Sequence, residues 1–483
     1  MPPSWSYLEI KIEVEEKYAL LCNFILQDPL GNIRMLRQLG YSDNRIFLTD
    51  DSSSTTPGGV PGTIMPGNWK AIICLFSEYV EQRLGDDSFS IRMKINGNEE
   101  KTSMDSPKDV IGEIDWNRPP YNFKKIYQSE NRWYKGDFHT HTQLSDGKET
   151  VTGAMKKAEF MKMDYYVPTE HNVMHTGWVS SPVMILPGIE ITTCKGHFNI
   201  FGIHKMPEKL LEILRYAGEE RVLEDIRYTI EEAEKNGWPF SVNHPFLHIW
   251  KWLDYDLDLK KLHFIEIIND PTYEYAREAN DKTIRFLDFL WNQGYIIYGI
   301  GGSDSHNLID EYYDGAEEPS IAGDPGTYVN MNGLSPENLL EAIKKGHIYV
   351  SRYVTLELMI RQNNLEYLPG EEMPGLEKEQ GLVTYEVVIR NIKEKPVLYS
   401  VRNGVKENVP VKALDSESWK GEFSFVWKQE KWEWVRIEIR KEDGTFLAYV
   451  NPIYHGSKKP SFETYGEALE IWRKEDGDKG NSI

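Results

Sequence analysis

Hydrophobic and polar positions alternate with a period of two along residues 5–27, as in Tyr7-Leu-Glu-Ile-Lys-Ile-Glu-Val14, and predict strand. Asp28-Pro-Leu-Gly-Asn32 reads as a turn, and residues 52–69 as a long Pro/Gly loop. Strand patterns follow at Lys70–Phe76 and Phe89–Ile95, with no helical period. Residues 1–110 are therefore expected to form a small all-β, sandwich-like domain, and residues 111–133 a connector. From Tyr134 the pattern changes. Strand-like runs at 136–142, 164–170, 184–192, 197–203, 239–245, 263–269 and 295–303 alternate with helical runs at 149–163, 219–236, 274–293 and 335–346. The run at 219–236 sets Ile226, Ile230 and Ala233 on one side and stops at Asn236-Gly237. This alternation predicts an α/β centre over residues 134–351, with a mostly parallel sheet or an incomplete seven-stranded barrel. Residues 352–458 return to strand patterns and predict a second all-β domain. Residues 459–483 form a charged tail in which only Tyr465 to Trp472 looks helical.

Composition narrows the classes. A chain of 483 residues exceeds one core, so two to four domains are expected. The formal net charge of −21 argues against a general nucleic-acid or membrane-surface binder. Cys22, Cys74 and Cys194 are far apart and lack CxxC spacing, which excludes a cysteine-rich zinc site. The sequence shows no signal-peptide pattern and no apolar run long enough to span a bilayer, so the cytoplasm is the expected compartment.

Candidate chemistry gathers in the centre. His139 and His141 are two apart, so on a strand both imidazoles face the same way, as metal ligation needs. Asp146 follows on a turn-like Ser-Asp-Gly. Ligand types recur where predicted strands end or begin: Glu170-His171, Glu190, His197, His244, and Asp304-Ser-His306. With His139 and His141, six of the twelve histidines fall at such places. In a barrel such ends meet on one face. Imidazole with carboxylate suits zinc, manganese or iron, and a shared carboxylate can bridge two ions.

The ordered motifs His139-x-His141-x4-Asp146-Gly, Glu170-His171-Asn172, Gly188-x-Glu190, Gly196-His197, Asn243-His244-Pro245 and Ser303-Asp304-x-His306 resemble those of the PHP (polymerase and histidinol phosphatase) metallohydrolases. The Thr56-Pro-Gly-Gly-Val-Pro-Gly62 loop, Pro66-Gly-Asn-Trp69 and Asn451-Pro-Ile453 resemble the carbaryl-hydrolase-like branch of that family. The resemblance implies a distorted (β/α)7 barrel and two to three divalent ions. It implies one ion on His139, His141, Glu190 and Asp304, a second on Glu190, His197 and His244, and a third on Asp146, His171 and His306. Many relatives have His where this chain has Asp146, a harder ligand that favours manganese, iron or magnesium.

The function expected is a metal-dependent phosphoesterase acting on a small phosphate ester, with Glu190 holding the ions and Asp304 or His306 moving a proton. Glu170 is read as the carboxylate that orients His171. Lys148, Lys195 and Arg352 are candidate phosphate-binding cations, and His175 and His248 candidate substrate contacts. Trp69 is read as core. Hydrolysis of a carboxyl ester, amide or carbamate by the same centre stays open, as does a non-catalytic, metal-containing binding protein. The partner expected is a small-molecule substrate, with self-association possible through the β domains.

Overall fold

The structure is a computed structural model that describes residues 1, 5–14, 22–39, 44–51, 54–56, 58–75, 91–98, 121–175, 178–179, 181–375, 381–428 and 431–475. Parts of the predicted connector (111–120), of the first strand run (15–21) and of the tail (476–483) lie outside the described residues. The chain divides into two compact units. The first comprises Met1–Lys125, His139–Trp238 and Asp304–Ala322; the second comprises Ile126–Phe138, Pro239–Ser303 and Gly323–Ile483.

In the first unit, the N-terminal stretch makes two three-stranded antiparallel sheets. Tyr7–Val14 lies between Arg45–Leu48 and Ile91–Asn98, and Cys22–Gln27 lies between Ile33–Gln38 and Lys70–Leu75. The alternation seen in the sequence has its expected effect: Leu8, Ile10 and Ile12 point inward and share one core with Phe24, Leu26, Met35 and Leu48. Trp69 packs against this core and donates its Nε1–H to Met65 O at 2.8 Å. The unit continues with the short parallel pair Tyr165–Tyr166 and Met184–Ile185, and with the antiparallel hairpin Gly188–Thr193 and Gly196–Phe201. Helix Val222–Asn236 buries Val222, Ile226, Ile230 and Ala233 and ends on Gly237, whose φ of 70° supplies the left-handed stop that the sequence predicts.

In the second unit, Phe240–Val242, Phe264–Asn269 and Tyr298–Gly302 run parallel. Two antiparallel sheets follow. One runs Val405–Val409, Val397–Arg402, Glu433–Arg440, Phe446–His455, Ile348–Ser351, Gly326–Leu334 and Gln128–Asp137; the other is centred on Leu382–Arg390. Tyr385, Val387, Leu398, Val435, Ile437 and Leu447 form their common core.

The predicted (β/α)7 barrel is not what forms. Among the described residues 25 strands stand against six α-helices, and several central strands are antiparallel. The link from Thr193 to Gly196 is only Cys194-Lys195, whereas a parallel crossover needs a dozen or more residues. Gly326–Leu334 is antiparallel to both of its neighbours, Gln128–Asp137 and Ile348–Ser351. Strand–helix alternation predicts repeated crossovers, but at these places the chain makes hairpins. Among the described residues no helix is long and apolar enough to cross a membrane.

Candidate metal centre

Local pairing explains how the first unit presents its histidines. Thr140 is pinned: its N–H donates to Thr169 Oγ1 at 2.9 Å, its hydroxyl to Val167 O at 2.8 Å, and it bridges Ser305 in parallel. Extended backbone at Thr140 turns His139 and His141 together to the opposite face. On the neighbouring segments His171 bridges Glu190, and Asn172 N–H donates to Glu190 O at 2.7 Å. Asp304 N–H donates to His139 O at 2.8 Å, and Asp304 holds a φ of 50°. Left-handed backbone at a non-glycine costs of order 1–3 kcal/mol and persists where surrounding contacts impose it.

Eight of the predicted ligands meet in this unit. Glu190 is wholly buried, and its two oxygens face different imidazoles. Oε1 lies 3.1 Å from His139 Nε2 and 3.2 Å from His197 Nδ1; Oε2 lies 2.6 Å from His171 Nδ1 and 3.6 Å from His141 Nε2. Asp304 Oδ1 stands 2.9 Å from His141 Nε2 and 3.3 Å from His139 Nε2. Asp146 faces His306 Nε2 at 3.0 Å and His171 Nε2 at 3.3 Å. Two donor atoms bound to one ion at about 2.1 Å stand roughly 3.0–3.4 Å apart at octahedral or tetrahedral angles, and most of these separations fit. Three groupings within the unit could hold a metal ion: His141, Asp146, His171 and His306; His139, His141 and Glu190; and His171, Glu190 and His197.

The electrostatics agree with that fit. Buried His141 Nε2 and Asp146 Oδ1 make no hydrogen bond, although opposite partners lie 2.9 and 3.0 Å away. Close approach without hydrogen-bond geometry leaves these donor atoms available to a shared cation. Burial alone would raise Glu190, Asp146 and Asp304; the surrounding imidazoles overrule it and hold all three well below the usual carboxylate range. Burial alone would lower His306, yet Asp146 and Asp304 push it up to about 9. His141 goes the other way, lowered by burial and by His306 and His171. These carboxylates demand positive charge, from protons or from a metal that displaces them.

The remaining sequence candidates sort differently. His244, Arg352 and His248 belong to the second unit. There His244 N–H donates to Glu266 Oε2 at 3.0 Å, Arg352 makes a two-pronged pair with Asp324 at 2.8 and 2.7 Å, and His248 stacks on Tyr275. In the first unit Lys148 is paired with Glu311 and Lys195 with Glu220. His175 is buried and bonds Glu170 at 2.9 Å. Glu170 is wholly buried too, with its carboxylate on Thr142, Ser145 and His175. Two partners went unread in the sequence. Thr192 Oγ1 lies 2.6 Å from His171 Nδ1, a contact that period two from Glu190 could have suggested; the Ser145 and Thr142 contacts carry no sequence signal.

Fold and cluster together define a β-rich chain with a buried histidine–carboxylate centre of metal-ligand spacing. No family matches the chain, and no curated protein does. Among solved structures, the carbohydrate binding module of the muscle glycogen-targeting subunit of Protein Phosphatase-1 is 14% identical, covering 25% of this chain and 86% of its own, with a TM-score of 0.14. The N-terminal domain of PorA is 11% identical, covering 22% and 100%, with a TM-score of 0.13. Likenesses this low carry no argument about fold or function.

Proposed function

We propose that the chain is a metal-dependent hydrolase of the PHP type, acting on a small phosphate ester with two to three divalent ions of zinc, manganese or iron. One observation carries the reading: the two oxygens of buried Glu190 face separate histidine sets, the disposition of a carboxylate that bridges ions. His139, His141, His197, Asp304, Asp146, His171 and His306 supply the other ligands. When bound, such ions supply an activated water and a counter-charge for the oxyanion that develops on the substrate. The chain's own part is to fix the donor atoms and to manage protons. His306 has the most exposed of these side chains, at 26%, and its Nδ1 lies 2.6 Å from Asp304 O. That contact keeps a proton on Nδ1, so Nε2, which faces Asp146, is the nitrogen that would give up its proton to an ion.

A second reading, hydrolysis of a carboxyl ester or carbamate, gains support from the cations. Lys148, Lys195 and Arg352 each already hold a carboxylate, so none of the three is an idle phosphate ligand. Metal content by plasma mass spectrometry, followed by matched aryl phosphate, acetate and carbamate substrates, tests both. Two or more ions with phosphate turnover dominant is the expected result. Dominant acetate or carbamate turnover selects the second reading, and less than half an equivalent of metal after reconstitution removes both.

A further inference from the structure

Glu170 precedes one candidate ligand in the chain and touches residues beside two more. Its oxygens accept the Thr142 N–H at 3.0 and 3.1 Å and the Thr142 hydroxyl, the Ser145 hydroxyl at 2.5 Å, and His175 Nε2–H at 2.9 Å. Thr142 follows His141, Ser145 precedes Asp146, and Glu170 itself precedes His171. These three ligands, with His306, are one of the groupings able to hold an ion. Ser145 Oγ also lies 3.5 Å from His141 Nδ1, on the side of the ring away from Nε2.

We propose that Glu170 is a positioning residue for this one ion, an inference that rests on the metal reading above. Its carboxylate gathers the loop from His141 to Asp146 so that both side chains converge with His171 and His306. The sequence suggests that Glu170 orients His171; its hydrogen bonds run instead to the loop that carries two of the other ligands, His141 and Asp146. His175, packed edge-on against Trp178 at 4.5 Å, holds the carboxylate from behind. The role calls for a carboxylate. Two oxygens receive donors from Thr142, Ser145 and His175, whereas a carboxamide in the same space accepts on one oxygen and turns an N–H2 toward the other donors.

The test uses the full chain, stripped of metal and titrated with Co2+, whose visible absorption reports ligand geometry. Asp146→Asn removes a ligand of this ion and serves as the benchmark. Glu170→Gln is expected to weaken the same ion about 10- to 100-fold and leave the others unchanged. The double variant is expected to be no weaker than Asp146→Asn alone. Ser145→Ala is expected to weaken that ion too, and Ser145→Thr, which keeps the hydroxyl, to restore it. Glu170→Gln and Ser145→Ala titrating like the wild type overturns the proposal, as does equal weakening of every ion. If Glu170→Gln is unfolded by circular dichroism, the contrast of Ser145→Ala with Ser145→Thr decides. A wild type that takes up no Co2+ removes the metal reading itself, and the proposal with it.

Discussion

Each unit carries a dense knot of buried charge, and the two are built on opposite terms. In the second, wholly buried Arg436 forks onto Asp288 at 2.6 and 2.7 Å and reaches Glu438 at 2.9 Å, with the Tyr449 ring 4.7 Å from its guanidinium carbon. Glu438 also takes Lys406 and Arg440, each at 2.6 Å, and Arg440 takes Asp281 at 2.6 Å. Three cations answer three carboxylates, by hydrogen bonds except at the Arg436 Nη1–Glu438 Oε2 contact, and tie helix Ala276–Asn292 to strand Glu433–Arg440. In the first, the carboxylates of Asp146, Glu190 and Asp304 lie within 3.6 Å of the imidazoles of His139, His141, His171, His197 and His306. A knot closed by arginine and lysine is a strut; one closed by imidazoles, which can exchange their protons for an ion, has room for a cation.

The comparison breaks most directly at the histidines. His139→Ala with His141→Ala is expected to reduce metal to under half an equivalent and turnover by about 10^3-fold or more, with secondary structure retained. Retained metal in that variant would detach the cluster from metal binding altogether. Chelation is the next largest effect. An ion present at about 1,000 times its dissociation constant stabilises by roughly 4 kcal/mol, so a chelator should lower the unfolding midpoint of the wild type sharply. The same chelator should shift the His139/His141 variant hardly at all.

Asp288→Asn strikes the other knot. Leaving Arg436 buried without its forked partner is expected to cost about 3–5 kcal/mol in denaturant titrations, with metal content unchanged. Metal loss in Asp288→Asn would mean that the two knots are not independent. His263, also in the second unit, gives a pH signature there. Burial, with Lys344 nearby, holds its pKa down to about 4. Above its ordinary value of 6.5 the full contribution is present. As pH falls through 6.5 toward 4 the unfolded chain takes up the proton first, and roughly 3 kcal/mol is lost. Denaturant titrations of His263→Gln should show a flatter profile over that interval; matching profiles would refute the assignment.

Legibility in the sequence followed the range of the interactions. The Glu190 strand and the Gly237 stop rest on periods and turn chemistry within a few residues and have the expected local form, whereas the strand predicted over 136–142 ends at Asp137 and leaves only Thr140, between His139 and His141, in an isolated bridge. A barrel depends on strand direction, which alternation of strand and helix does not encode. The two-residue link before Gly196 was the local sign against it. Cation roles failed for another reason. Lys148 is near the motifs in sequence, but its partner Glu311 is 163 residues away, beyond any pattern.

That pair gives the smallest and most discriminating prediction. Lys148 and Glu311 are each about one-third exposed, and exposed pairs contribute typically 0.2–1 kcal/mol. Glu311 also accepts the Leu308 N–H at 3.1 Å, and Lys148 N–H donates to His306 O at 2.8 Å. The pair therefore braces the loop behind a candidate ligand, as Arg436 braces the second unit, at far lower cost to break. Lys148→Met is expected to lose under about 1 kcal/mol and to change KM for a phosphate ester less than about twofold, because the ammonium is already engaged. A tenfold rise in KM for the phosphate ester, with none for a carboxyl ester of the same alcohol, would move Lys148 from strut to substrate ligand. It would also weight the chemistry toward phosphate by the side chain that now counts against it.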